Sequence, residues 1–295
     1  MSAPVIYLGE DTDMEFTKVA MIHKGQDGAV WGGYLFRFDA DGKCYVYDLT
    51  RARNGEPMEP ASEFLLGSCE TVRPHSNSVT FSGMYFEDGD DFPLLFSNVY
   101  NNYAREENRR EGMCCVYRLK RQGTNFSAEL VATLEVAFTG DSTLWRSPNA
   151  EDIRPYGNFA VDRKNKKLYV FTMRDESHTT RYFRFPLPEI PKAHAGVQRI
   201  LLRKIDIEDF FDCEYHHFIQ GACVKDGKIY SLEGFTDSKE NPPAMRIIST
   251  ENRRQEACIF FADHGLSVEP ELIDFAGDTC YYCDHSGNLY TVQLP

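Results

Sequence analysis

The stretch GAVWGGYLFRFDADGKCYVYDL (28–49) contains two short apolar runs rich in Phe, Tyr and Val, joined by a turn sequence at 40–43. Aromatic and β-branched residues favour strands, and Asp-Gly is typical of tight hairpin turns. The pattern returns in GNFAVDRKNKKLYVFTM (157–173), QGACVKDGKIYSLEGF (220–235) and ELIDFAGDTCYYCDHSGNLYTVQL (271–294), with a more diverged copy beginning at SNSVTF (76–81). The sequence therefore predicts about five similar antiparallel units along its whole length.

Units of this kind cannot bury their own faces alone and must pack around a common axis. We therefore predict an all-β fold, a five-bladed β-propeller in which residues 1–295 form a single domain. The blades are expected at about 28–70, 76–140, 156–205, 219–262 and 268–294. A β-sandwich with the same strands, or a propeller with six or more blades, is the alternative.

The last blade supplies only three strands from its own sequence. The segment FTKVAMI (16–22) has strand composition, so we expect it to join this blade as the outer strand and close the ring, which removes exposed sheet edges. The fourth strand of the third blade is expected near 198–204. The segment IDIEDFFD (205–212) is predicted to form a helical turn or two.

The net charge of −13 and the pI near 5.1 argue against general affinity for nucleic acid or anionic membranes. No segment approaches the roughly 20 apolar residues needed to span a bilayer, and the N-terminal residues do not resemble a signal peptide. The nine cysteines are an odd number and fall mostly within predicted strands. We expect a cytoplasmic monomer with reduced, buried thiols.

The innermost strand of each propeller blade lines the axial channel, so the starts of these strands meet at one mouth. Each predicted start carries a polar side chain, namely Asp27, Asn77, Asn158, Gln220 and Glu271. Hard cations such as Ca²⁺ prefer oxygen ligands of this kind. Asp27, Asn77, Gln220 and Glu271 are therefore candidate calcium ligands. The alternative is that these side chains satisfy backbone groups and channel waters.

Catalytic and ligand-binding groups are also candidates at this mouth. His75, His216 and Glu271 are candidate acid/base residues, and with Glu269 they would also suit Mn²⁺ or Zn²⁺. Arg154 is a candidate anion clamp, and Tyr156 could stack on a sugar or base. The predicted ligand-binding residues are Asn77, Arg154, Tyr156, Asn158, Gln220 and Glu269.

The blade openings PHSNSV (74–79), RPYGNF (154–159), IQGAC (219–223) and EPE (269–271) give the chain an organisation similar to that of calcium-activated nucleotidases and arabinanase-like glycosidases. The resemblance to the nucleotidases implies an axial calcium ion held by Asn77, Gln220 and Glu271. The glycosidases use a separated trio of carboxylates, whereas the second blade here carries His75-Ser76-Asn77. The same phrases also resemble a group of uncharacterised bacterial propellers, which implies no activity.

We therefore expect a propeller that binds a small polar ligand, such as a carbohydrate, or a cation at the channel mouth. The first alternative is a hydrolase or lyase that acts on glycosidic or phosphoester bonds. The second is a protein-interaction platform built on the charged segment 100–112. The sequence lacks the GxSxG, GxxxxGK[ST], GxGxxG and HExxH motifs, which disfavours serine hydrolases and nucleotide-driven machines.

Overall fold

The computed structural model describes residues 6–8, 14–68, 73–99, 112–137, 158–172, 179–192, 196–214 and 218–294. These residues form five small sheets, and the fold is the expected all-β, five-bladed β-propeller. Short 3-10 turns occur at Leu49–Arg51, Lys204–Asp206 and Phe261–His264. No helix within the described ranges is long and apolar enough to cross a membrane.

The strands of each blade are given from the axis outward. Blade 1 contains β3 (Gly28–Trp31), β4 (Tyr34–Phe38), β5 (Lys43–Asp48) and β6 (Ser62–Leu65). Blade 2 contains β7 (Val79–Phe81), β8 (Leu95–Asn98), β9 (Met113–Gln122), β10 (Asn125–Val136) and β14 (Gln198–Leu202). Blade 3 contains β11 (Asn158–Asp162), β12 (Lys167–Thr172), β13 (Thr180–Pro186) and β15 (Asp209–Cys213). Blade 4 contains β16 (Ile219–Lys225), β17 (Lys228–Glu233), β18 (Ala244–Ser249), β19 (Arg254–Phe260) and β1 (Ile6–Leu8). Blade 5 contains β20 (Pro270–Ala276), β21 (Thr279–Asp284), β22 (Asn288–Gln293) and β2 (Glu15–Met21).

Side-chain burial changes from the axis to the periphery of each blade. The inner strands β7 and β11 are buried along their whole length, whereas the outer strands β6 and β14 alternate between exposed and partly buried positions. This difference arises because an inner strand is covered by the sheets on both sides, and an outer strand faces solvent on one side. The described apolar side chains form five core clusters, one between each pair of neighbouring blades.

Hydrogen bonds from side chains of the inner strands also join neighbouring blades. Asp274 of blade 5 accepts a hydrogen bond from the backbone N–H of Val30 in blade 1 at 2.8 Å. The Ser78 hydroxyl, just before β7, donates to the carbonyl of Phe159 in blade 3 at 2.8 Å and accepts from its N–H at 3.1 Å. These bonds satisfy backbone groups that have no neighbouring strand to pair with in their own blade, and they fix the register between blades.

The ring is closed as expected by the N-terminal strand. β2 pairs antiparallel with β22, from Glu15 opposite Gln293 to Met21 opposite Asn288. The Phe16 ring packs edge-on against Phe261 and Tyr282, with centroid distances of 5.6 Å to each. Closure therefore combines strand pairing with an aromatic cluster.

Two expectations for residues 198–212 were wrong. Gln198–Leu202 does not complete blade 3 but pairs parallel with β10 of blade 2. The fourth strand of blade 3 is β15, in the segment that was expected to be helical. The extended conformation is favoured because Phe210 and Phe211 point to opposite faces and contact β13. Phe211 stacks on Tyr182 at a centroid distance of 5.2 Å, and Phe210 lies tilted against Phe183 at 6.0 Å.

Candidate functional site

The inner strands begin at the same mouth of the channel, where most of the predicted site residues lie. Asp27, His75, Asn77, Asn158, Gln220, Glu269 and Glu271 are within the described residues. Arg154, Tyr156 and His216 are outside them, as are residues 100–111 of the predicted interaction loop. The anion clamp, the stacking residue, one candidate base and the platform therefore stay predictions.

Asp27 lies in the wall of the channel with its side chain completely buried. Its Oδ2 atom accepts a hydrogen bond from the backbone N–H of Val79 at 2.7 Å, so this carboxylate links blade 1 to blade 2. Oδ1 has no hydrogen-bond partner among the described atoms, and a methyl group at Gly221 would lie only 2.7 Å from it. Burial raises the pKa of Asp27 well above its usual value. The hydrogen bond to Oδ2 matches the structural alternative for Asp27, and its role as a metal ligand stays a prediction.

Asn77 and Asn158 are brought together by a third amide. The Asn98 Nδ2 atom, at the end of β8, donates to Asn77 Oδ1 at 2.6 Å and to Asn158 Oδ1 at 3.1 Å. Asn98 Oδ1 accepts from the backbone N–H of Ser78 at 3.1 Å. All three amides are buried, and Asn158 Nδ2 finds no acceptor in the described part of the chain. This amide cluster offers one free donor on the side of the mouth formed by blades 2 and 3.

Glu271 lies on blade 5 with a completely buried side chain. Its Oε1 atom is 2.9 Å from Nδ1 of His285 and accepts a 3.3 Å hydrogen bond from Gln26 Nε2. Oε2 has no partner among the described residues. His285 remains partly exposed, with 43% of its side-chain surface accessible. The pair therefore connects a buried carboxylate to the surface of the mouth.

Glu269 and Gln220 complete this side of the mouth. Gln220 Nε2 donates to Glu269 Oε1 at 2.6 Å. Glu269, Glu271 and His285 each offer one ligand atom, and these atoms lie within 4.8 Å of one another. We call these three residues the mouth triad. One nitrogen and two carboxylate oxygens at this spacing are a donor set that could hold a metal ion.

Burial and charge set the protonation of the triad. Burial raises the pKa of Glu271 to about 7, while its hydrogen bond with His285 and the charge of Arg37 act in the opposite direction. The hydrogen bond to Glu271 raises the pKa of His285, and burial raises that of Glu269. Because Glu271 and His285 shift the pKa of each other, their titration belongs to the pair.

A buried guanidinium lies close to these carboxylates. Arg37 is completely buried, and its Nη2 atom donates to the carbonyl oxygens of Gly25 at 2.7 Å and Asp284 at 2.8 Å. Its positive charge lowers the pKa of both Asp27 and Glu271, against the larger effect of burial. Arg37 therefore offsets part of the cost of placing carboxylates inside the channel.

His75 lies apart from the mouth triad. It is half-buried, burial lowers its pKa, and the acidic residue that counteracts this is Asp41 in the β4–β5 hairpin. The histidine paired with Glu271 is instead His285, which the sequence presented only as part of a turn. Pairing of β20 with β21 places Pro270 opposite Asp284, so a residue just after β21 must lie beside Glu269 and Glu271. That register was the signal that could have identified His285.

No protein-family model matches this sequence, and no curated protein matches it. Among solved structures, the chain is similar to the glutaminyl cyclase of Myxococcus xanthus, with 11% identity, a TM-score of 0.46, and coverage of 94% of this chain and 97% of that one. It is also similar to a chain of the mitotic checkpoint complex, with 9% identity, a TM-score of 0.38, and coverage of 90% and 60%. The computationally designed Ika8 protein matches with 9% identity, a TM-score of 0.34, and coverage of 94% and 100%. The assignment of the fold as a five-bladed β-propeller rests on the five sheets described above. The likeness to nucleotidases and glycosidases stays a resemblance.

Proposed function

We propose that this propeller binds a small polar ligand at the axial mouth, with the mouth triad as the main contact. The observation that carries the proposal is Glu271, whose side chain is completely buried while Oε2 lacks a partner among the described residues. A buried carboxylate oxygen without a hydrogen bond is costly, and a ligand that donates to it removes that cost.

The polarity of the mouth indicates the chemistry of the ligand. Glu269 and Glu271 offer hydrogen-bond acceptors, and Asn158 Nδ2 offers a buried donor. Two carboxylates favour neutral or cationic groups over anions. The ligand class that fits is therefore a small molecule rich in hydroxyl or amine groups, such as a sugar or an amino sugar.

Binding can be tested by thermal shift and calorimetry with glucose, glucosamine, spermidine and AMP as probes. We expect stabilisation by at least one of the neutral or cationic probes, glucose, glucosamine and spermidine, and none by the anionic AMP. Glu271→Gln keeps the shape of the side chain but removes its charge, and it should weaken binding about tenfold or more. Stabilisation by AMP alone, or undiminished affinity of Glu271→Gln, would contradict the proposal.

Glu233→Gln is the matched control. Glu233 is also buried, burial raises its pKa to about 7, and its Oε2 atom likewise has no partner within the described ranges. It pairs with Arg246 at 2.9 Å instead of facing the triad. Its substitution should alter stability and leave probe binding unchanged.

A hydrolase or lyase is the second candidate function, because the 2.9 Å contact between His285 and Glu271 lies beside another carboxylate. In this alternative, His285 takes the acid/base role predicted for His75 or His216. Turnover of 4-nitrophenyl glycosides or bis(4-nitrophenyl) phosphate, lost in both His285→Ala and Glu271→Gln, would support it. Absence of turnover, or turnover that survives both substitutions, would leave the binding protein as the better description.

A further inference from the structure

The mouth triad also has a geometry suited to a metal ion. Glu269 and Glu271 lie at the start of β20, and His285 follows the end of β21. The backbone N–H of His285 donates to the carbonyl of Glu269 at 2.8 Å, so the two segments are tied together directly behind the side chains. Ligand atoms on such a paired frame are held in place before any ion binds, which lowers the entropy cost of binding.

We propose that the mouth triad binds one divalent transition-metal ion, such as Mn²⁺, Co²⁺ or Zn²⁺, through Glu269, Glu271 and His285. The proposal deepens the function proposed above and rests on it, because the ion would provide the contact between protein and ligand. The Oε2 atom of the buried Glu271 is a second observation that favours the metal site. No donor among the described residues forms a hydrogen bond with this oxygen, so the cost of its burial is not offset. A cation bound by this carboxylate would offset that cost.

The donor set distinguishes between classes of metal ion. Ca²⁺ takes six to eight oxygen ligands, whereas the triad offers one imidazole nitrogen and two carboxylates. Imidazole is a favourable ligand for Zn²⁺, Co²⁺ and related ions, and carboxylates also suit Mn²⁺. The calcium set predicted from the sequence also includes Asp27, Asn77 and Gln220. Asn77 Oδ1 accepts a hydrogen bond from Asn98, and Asp27 Oδ2 accepts one from the Val79 N–H, while Asp27 Oδ1 has no partner among the described residues.

Neighbouring side chains hold the two carboxylates in orientation. Gln220 Nε2 donates to Glu269 at 2.6 Å, and Gln26 Nε2 donates to Glu271 at 3.3 Å. Outer partners of this kind commonly change metal affinity by about 10–100-fold. Three protein ligands leave coordination positions open, which a hydroxyl or amine group of a small ligand can occupy.

The experiment uses the full chain, treated with EDTA, dialysed and titrated separately with MnCl₂, CoCl₂, ZnCl₂ and CaCl₂ by calorimetry. We expect one equivalent of at least one transition metal to bind, and at least about tenfold more weakly in Glu271→Gln and His285→Ala. Glu233→Gln should bind like the wild type, and circular dichroism establishes that each variant is folded. A Co²⁺ absorption spectrum that is lost in His285→Ala would identify the nitrogen ligand.

Three outcomes would overturn the metal site: no transition metal binds, Ca²⁺ binds at least as tightly, or both triad variants keep wild-type affinity. Repeating the sugar and amine titrations in EDTA separates the two proposals. Undiminished probe binding in EDTA would refute a ligand contact through the ion and leave the proposed function intact. Metal binding without any probe binding would support the metal site and contradict the proposed small-ligand function.

Discussion

Gly221 of blade 4 lies in close contact with Glu271 of blade 5 and with Asp27, which precedes the first strand of blade 1. It belongs to β16, and a Cβ atom at this position would lie 2.7 Å from Asp27 Oδ1, 2.9 Å from Asp27 Cγ and closer still to the carbonyl oxygen of Glu271. Neither neighbour can withdraw easily, because Asp27 is hydrogen-bonded to Val79 N at 2.7 Å and the Glu271 oxygen is part of a strand backbone. Gly221→Ala should therefore force the inner strands apart.

The expected cost follows from overpacking. An extra methyl group in a packed core usually lowers the free energy of unfolding by about 1–3 kcal/mol. The methyl group of Gly221→Ala would clash with the Glu271 backbone on one side and the hydrogen-bonded Asp27 side chain on the other, so we expect a cost at the upper end of this range. Replacing glycine also stabilises the native state by about 0.4–1 kcal/mol, because the unfolded chain loses freedom. The net loss should be about 2 kcal/mol, a factor of roughly 30 in the ratio of folded to unfolded protein.

Urea unfolding followed by tryptophan fluorescence and circular dichroism measures this loss. Gly67→Ala is the matched control, because a Cβ atom there would have only an ordinary contact, 3.9 Å from Leu130 Cβ. It should change the free energy of unfolding by no more than about 0.5 kcal/mol. If Gly221→Ala is as stable as Gly67→Ala, the close approach of Asp27 and Glu271 to β16 is incorrect, and so is the packing of the channel.

Three further predictions concern the axis and the closure of the ring. Burial raises the pKa of Asp27, so the folded protein keeps a proton there that the unfolded chain releases above about pH 4, and the free energy of unfolding should fall as the pH rises from that value. In urea titrations, Asp27→Asn should lose less stability between pH 5 and pH 8 than the wild type. An equal loss in the two proteins would disprove the buried proton. Asn98→Ala removes three buried hydrogen bonds and should destabilise the protein by about 3 kcal/mol in the same assay. The control Asn252→Ala removes an exposed side-chain hydrogen bond to Glu256 and should cost under about 0.5 kcal/mol. Deleting residues 1–21 removes β1 and β2 and exposes the edges of β19 and β22, whereas deleting residues 1–12 removes β1 and exposes β19 alone. Size-exclusion chromatography with light scattering should therefore show stronger association after the longer deletion, and equal behaviour of the two truncations would contradict closure by β2.

The positions of the inner and middle strands could be predicted because local sequence determines them. Asp-Gly and Ser-Gly turns bound the hairpins of blades 1, 4 and 5, and the apolar runs between turns have the length of strands. The outer strands were harder, since Gln198–Leu202 has strand composition but nothing in its sequence specifies blade 2 as its partner. That choice depends on the path of the chain around the outside of the propeller, which local patterns do not contain.

The approach of polar side chains at the strand starts could be predicted from the sequence, but most of their contacts could not, and their functional role stays a prediction. Polar residues at strand starts do meet at one mouth, but the side chain of Asp27 accepts a hydrogen bond from the backbone of the next blade. Asn98 and His285 were missed because they lie at the ends of second strands, not at the starts of inner ones. Antiparallel pairing brings these ends to the same mouth, so a search of propeller sequences for site residues should include both ends of each hairpin.

The pairing of β2 with β22 has a consequence for the order of folding. Ribosomal synthesis produces residues 15–21 long before their partners at 288–293. The first blades can assemble as they emerge, whereas β2 stays without its partner until the strands of all five blades have been made. Joining segments so distant in the chain is entropically expensive, and we infer that this step is slow. A chaperone that shields a nascent N-terminal strand would therefore help this protein more than one that acts on completed hairpins.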